Sequence, residues 1–149
     1  MNSTVSRGLV LVVLITCTML LLWWFVPGGE DTGGWRVTAV RSGDLITVER
    51  DGVTATVHLL GITAPSSGQC GFEESRDYLD KGIAGTEVDL IADGDGPDQL
   101  VWERYVELSR RDAGLEQIRS GHAVPDGAAH SRAEAYEAAA VGAPAVCEG

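Results

Sequence analysis

The first regular feature along the chain is an unbroken apolar run from Gly8 to Val26, GLVLVVLITCTMLLLWWFV, without a charged residue. Its roughly 19 residues are enough, at the helical rise, to cross a ~30 Å hydrocarbon layer, so the run predicts one transmembrane helix. Arg7 precedes it while Glu30 and Asp31 follow, which places residues 1–7 in the cytoplasm and the remainder outside the cell membrane. Trp23 and Trp24 fall where an outer interface is expected. A cleaved signal peptide is the rival reading. The run is long for one, and Trp24, Phe25 and Val26 stand where a signal peptidase needs small residues. Lipid attachment at Cys17 fits less well, because the apolar run continues past it.

Residues 27–34 (PGGEDTGG) read as a short flexible linker, and from Trp35 the pattern changes to period two. Trp35–Val40, Ile46–Arg50 and Val53–Leu60 predict strands, with Asp51-Gly52 as a two-residue hairpin turn between the last two. Gly61–Gly71 reads as a loop. Phe72–Ile83 then places Phe72, Tyr78, Leu79 and Ile83 on one helical face. Glu87–Ala92 predicts a strand, Asp93–Asp98 an acidic turn, and Leu100–Leu108 another strand. A short helix is expected over Ala113–Ser120, capped by Gly121. Ser131 and Glu134 form a capping-box pattern opening a helix over Ser131–Ala140. This order predicts an α+β domain over residues 35–149, whose five short strands can close into a small Greek-key barrel.

Charge changes the picture of partners. Eleven basic residues face 22 acidic ones, a formal charge of −11. All the acids lie from Glu30 onward and only Arg7 precedes it, so ten basic residues against 22 acids leave the exposed part at −12. General nucleic-acid binding rests on Lys and Arg neutralising phosphates, so nucleic acid is not an expected partner. Cys70 and Cys147 both fall in the part predicted to face an oxidising compartment, where an even count reads as one disulfide. Such a bridge would constrain the unfolded chain by roughly 4 kcal/mol on the entropy model. Two free thiols fit only a cytoplasmic domain.

Three blocks carry a family likeness: Val37-x-x-Val40-x-Ser42-Gly43-Asp44-Leu45-Ile46-x-Val48, His58-Leu59-Leu60-Gly61-Ile62-x-Ala64-Pro65, and Trp102-Glu103-Arg104. With the element order and the Leu115–Gly121 segment, they resemble the thermonuclease (staphylococcal nuclease-like) family over about residues 35–147. The resemblance implies an OB-like five-stranded β-barrel with about three helices, here preceded by the one transmembrane helix. Some secreted relatives also carry cysteines near the places of Cys70 and Cys147. The implied activity is calcium-dependent phosphodiester hydrolysis, which needs hard oxygen ligands, a glutamate to position water, and two arginines to neutralise the transition state.

Position by position, this chain departs from that set. Asp44 keeps one metal carboxylate, but Thr63 stands where the second aspartate is expected, followed by Ala64, and Ser66 stands where the glutamate belongs. His58 replaces the first arginine, and Arg104 keeps the second. Trp102 replaces a tyrosine and Glu103 a glycine. One lost charge-stabilising group typically costs ~10²–10³ in rate, so losing three or four should leave little catalysis. The expectation is a membrane-anchored, extracytoplasmic pseudonuclease that binds a protein partner and needs no cofactor. The alternative is a calcium-assisted nuclease rebuilt on Asp44, His58 and Arg104, with Glu73 or Glu74 helping.

Other candidates weigh less. His122 and His130 lack a Cys or His partner at zinc spacing. Asp93, Asp95 and Asp98 lack the rest of a calcium loop and read as a solvated turn. Ser66 or Ser67 with His58 lacks an oxyanion motif. Arg110-Arg111 suits a hairpin tip, and Trp35 and Trp102 suit barrel packing or its rim.

Overall fold

A computed structural model describes residues 34–94, 100–145 and 147. The apolar run at 8–26, most of the linker, and Asp95 and Asp98 lie outside the described residues. Among the described residues, no helix is long and apolar enough to cross a membrane.

The period-two segments form an antiparallel meander of β1 (Trp35–Val40), β2 (Leu45–Arg50) and β3 (Val53–Leu59). Asp51 (φ 52°) and Gly52 (φ 79°) both adopt the left-handed conformation that a two-residue hairpin turn between right-twisted strands requires. After the two-residue strand β4 (Ile62–Thr63), helix α1 spans Phe72–Ile83 as expected, but its buried face is Ser75, Leu79 and Ile83, and Tyr78, expected on that face, is exposed. Glu73 and Glu74 lie in its first turn and Lys81 in its last, complementing the helix dipole. Strand β5 (Glu87–Ile91) returns alongside β1, and β6 (Val101–Leu108) pairs with β5. β6 also pairs in parallel with β3, so β1, β2, β3, β5 and β6 close into an OB-like barrel of five strands. Ile46, Val48, Val57, Leu59 and Val106, each at most 1 % exposed, fill it.

A tight turn with Ser109 and Arg110 at positive φ leads into the two-residue β7 (Arg111–Asp112). Helix α2 (Ala113–Arg119), the short β8 (Val124–Pro125) paired with β4, and helix α3 (Ala133–Ala140) follow. Cys70 and Cys147 form a disulfide with Cα atoms 5.9 Å apart. It staples the carboxyl-terminal segment to the loop before α1.

The expected capping box at Ser131 is not made: α3 begins at Ala133 with Arg132 at its N-cap and no side-chain cap. Ser131 is committed elsewhere. Its N–H donates to Asp93 Oδ2 (2.9 Å), and its hydroxyl lies 3.1 Å from the Tyr105 hydroxyl. Asp93 is therefore a docking point for the approach to α3.

What holds α2 and α3 together is Asp112, a carboxylate that no sequence motif singles out. Its Oδ1 accepts from the Leu115 N–H (3.1 Å) and so caps α2. Both its oxygens accept from the Tyr136 hydroxyl on α3 (3.0 and 2.8 Å), and Oδ2 accepts from Arg132 Nη1 (2.6 Å). Arg132 also pairs with Glu107 on β6 at 2.7 Å and lies over the Tyr105 ring, 4.1 Å from its centroid. Burial, then the Asp112 charge, pushes the Tyr136 phenol above its ordinary range, so it stays a donor. The Asp112–Arg132 pair is partly buried, and removing a carboxylate that makes charge-assisted hydrogen bonds and an N-cap costs about 2–3 kcal/mol. Asp112→Ala is therefore expected to destabilise the domain by about that much, and Tyr136→Phe by about 1 kcal/mol. Urea unfolding curves with unchanged slope would measure both.

Candidate functional site

The family-like positions meet at one rim of the barrel because of strand pairing. Leu45 at the start of β2 is in register with His58 near the end of β3, and the Leu59 N–H donates to the Asp44 carbonyl (2.8 Å). On the other side of β3, the parallel register sets His58 beside Glu103 and Leu59 beside Arg104. The Leu60 N–H donates to the Arg104 carbonyl at 3.0 Å. Asp44, His58, Glu103 and Arg104 are thus brought together by the β2–β3 hairpin and by β6, which is distant in sequence.

Both oxygens of the Asp44 carboxylate are engaged within the protein. Oδ1 accepts from the Ser42 hydroxyl (2.6 Å), Oδ2 accepts from the Ala64 N–H (2.9 Å), and His58 Nε2 lies 3.6 Å from Oδ2. Its side chain is only 15 % exposed. Burial raises the carboxyl pKa, but His58, the Ala64 N–H and the Ser42 hydroxyl together outweigh it and leave the group below its ordinary value. The bond to Asp44 raises the His58 pKa. Burial opposes the rise, while the charges of Asp44, Glu103 and Asp126 add to it.

Around this pair Thr63, Ala64 and Ser66 are apolar or neutral, and the charged Arg104 and Glu73 are engaged elsewhere. Thr63 is exposed on β4, and Ala64 contributes its backbone to Asp44 while its methyl packs in the core. The Ser66 N–H donates to Gln69 Oε1 (2.7 Å) in the turn before α1. Arg104 Nη1 donates to the Glu103 carbonyl (2.8 Å), and its guanidinium lies 5.7 Å from the Trp102 ring centroid. Glu73 pairs with Arg76 on the surface of α1. Among the described residues no three His, Cys, Asp or Glu side chains converge as a metal-ligand set.

The remaining histidines serve packing. His130 Nδ1 is 2.8 Å from the Tyr105 hydroxyl, and the His122 ring lies against Tyr78 with centroids 4.5 Å apart. Burial lowers the His122 pKa.

Sequence reasoning missed what supports the Asp44 turn. Gln117 of α2 is fully buried, and its Nε2 donates to the Gly43 carbonyl (2.7 Å) and the Ser75 carbonyl (3.1 Å). The Ser75 hydroxyl donates to the His122 carbonyl (2.7 Å). A signal was available, because Ser75 shares the buried stripe of α1 with Leu79 and Ile83. Gly43 sits against this knot so closely that a Cβ would overlap Ser75 Oγ and approach Ala64 Cβ and Gln117 Nε2 to 2.9 Å.

Two outcomes follow. Gly43→Ala should cost about 1–3 kcal/mol, an overpacking penalty, read as a fall in thermal midpoint. The His58 contribution is fully present below pH ~6.5, the unfolded value, and is lost as pH rises through the higher folded value. The Asp44 contribution is present above its unfolded value and is lost as pH falls through the lower folded one. Between these limits the pair adds about 1 kcal/mol, so on alkaline titration the wild type should lose its stability advantage over His58→Gln, measured by urea midpoints. A chain whose advantage is the same at pH 6 and pH 9 would contradict this. In comparisons with known proteins, no family model and no curated protein matches the chain, so the nuclease resemblance rests on its motifs.

Proposed function

We propose that residues 35–149 are a nuclease-like domain without nuclease chemistry, held on the extracytoplasmic face by the apolar segment and acting as a binding or assembly module for a protein partner. The observation that carries this reading is the state of Asp44. In a calcium-dependent nuclease that carboxylate turns toward the metal, whereas here both oxygens are occupied by Ser42, Ala64 and His58. Calcium takes six to eight oxygen ligands, several of them charged. With Thr63 and Ser66 at the neighbouring positions, the rim offers one carboxylate that already accepts from its own chain, and calcium does not fit that donor set.

The surroundings favour the same reading. A phosphodiester approaching this rim meets Glu103, Asp126 and Asp44 around His58, on a domain whose ten basic and 20 acidic residues leave it at −10. Arg104 is one cation against these acids. Of the two arginines that the resemblance expects to neutralise a pentacovalent phosphate only Arg104 is present, and fold alone does not carry activity.

The deciding assay incubates the full chain with single-stranded DNA and with RNA, with and without millimolar calcium. No cleavage above background is expected under either condition. Calcium-dependent cleavage abolished by both Asp44→Ala and Arg104→Ala would establish the altered nuclease instead.

A further inference from the structure

Helix α1 contains a glycine that neither the backbone nor the packing requires. Gly82 lies in its last turn without a positive φ, and a Cβ placed there would meet no atom within 4 Å. Glycine is the least favourable residue inside a helix apart from proline, so folding does not explain the missing side chain. Gly82 instead borders a cleft of about 360 Å³ between α1, the β6–β7 hairpin and α2. That volume lies in the range of small-molecule sites. The buried Leu79, Ile83 and Ala113 give the cleft an apolar floor, and the exposed Tyr78 adds an aromatic ring to its wall.

Two polar features meet at this cleft. Gln117 also lines it: Nε2 is used by the Gly43 and Ser75 carbonyls, whereas Oε1 is buried with no hydrogen-bond partner among the described residues. An unsatisfied buried acceptor is costly, and a ligand N–H or O–H would relieve that cost. At the mouth stand Lys81 and Arg111, both exposed. Among the described residues that line the cleft the one acid is Glu116, which pairs with Arg119 at 3.0 Å, so the mouth is locally cationic on an acidic domain. We infer that the cleft binds a small aromatic acid. Its ring packs on Leu79 and Ile83 beside Tyr78, a ring N–H or O–H donates to Gln117 Oε1, and its carboxylate pairs with Lys81 and Arg111. The site shares no residue with the Asp44–His58 pair and does not depend on the function proposed above.

The probe is indoleacetic acid, which combines an aromatic ring, a ring N–H and a carboxylate. It is titrated into the isotope-labelled full chain in phosphatidylcholine nanodiscs while backbone amide shifts are followed by NMR. Saturable shifts of the Leu79, Gly82 and Gln117 amides are expected at millimolar concentration. Methylating the ring nitrogen of the probe should weaken binding several-fold, because Gln117 Oε1 is then left without a donor. Replacing the acid by indoleacetamide should also weaken it several-fold, as should Lys81→Ala combined with Arg111→Ala. Gly82→Leu fills the cleft from a position where a Cβ meets nothing, and should abolish the shifts while the rest of the amide spectrum is retained. Absence of saturable shifts at these amides overturns the inference, as do shifts that persist unchanged in Gly82→Leu. A methylated or neutral analogue that binds as tightly as the parent acid overturns it without any change to the protein.

Discussion

Five short strands hold together in this protein because the two edges of the sheet find each other, β3 against β6, in parallel. Without that pairing the edge strands would present unpaired N–H and C=O groups to solvent and to other chains. With it, the inward faces of all five strands surround one packed core of Val, Ile and Leu. The closure also sets the chemistry of the upper rim. It brings the Arg104 carbonyl to Leu60 and sets Glu103 beside His58, while the β2–β3 register delivers Asp44 from the opposite side.

Two buried polar knots then lock the helices to the closed barrel. Gln117 and Ser75 tie α2 and α1 to the Gly43 turn, and Asp112 ties α2 to α3. Each knot uses a polar group in low dielectric, where a satisfied hydrogen bond is strong and an unsatisfied one is costly. The first is not fully satisfied, since Gln117 Oε1 is buried without a partner among the described residues. That cost is tolerated at the place where Gly43 must approach closest, directly beneath the Asp44 carboxylate.

The rim that results is self-contained. The Asp44 carboxylate is held by a hydroxyl, an amide and an imidazole of its own chain. The imidazole stands where the family resemblance expects an arginine. It is surrounded by acids, which favour its charged form. An internal ion pair of this kind orders the Ser42–Asp44 turn against the β3 end and offers little to an anionic ligand. The acidic surface and the altered rim agree with each other, and both favour a binding module over a phosphodiesterase.

How far the sequence reached depended on how local each signal was. The helix at Phe72–Ile83, the Asp51-Gly52 hairpin and the strands on either side of it follow from periodicity and turn chemistry within a few residues, and the structure has them where the pattern put them. The Cys70–Cys147 bridge followed from an even count in an oxidising setting. Where a side chain had two possible uses, local reasoning chose the wrong one. Ser131 matched a capping box, yet Tyr105 and Asp93, far away in sequence, claim it first. Asp112, Gln117 and Ser75 carried no motif, because their roles exist only once α1, α2, α3 and the barrel are packed together. The sequence by itself determined most of the elements and the neutral residues at Thr63 and Ser66. Only the tertiary structure decided that Ala64 and His58 join Ser42 around Asp44, because the β3 end and the β4 segment reach that carboxylate through strand pairing and packing, which no short window of residues encodes.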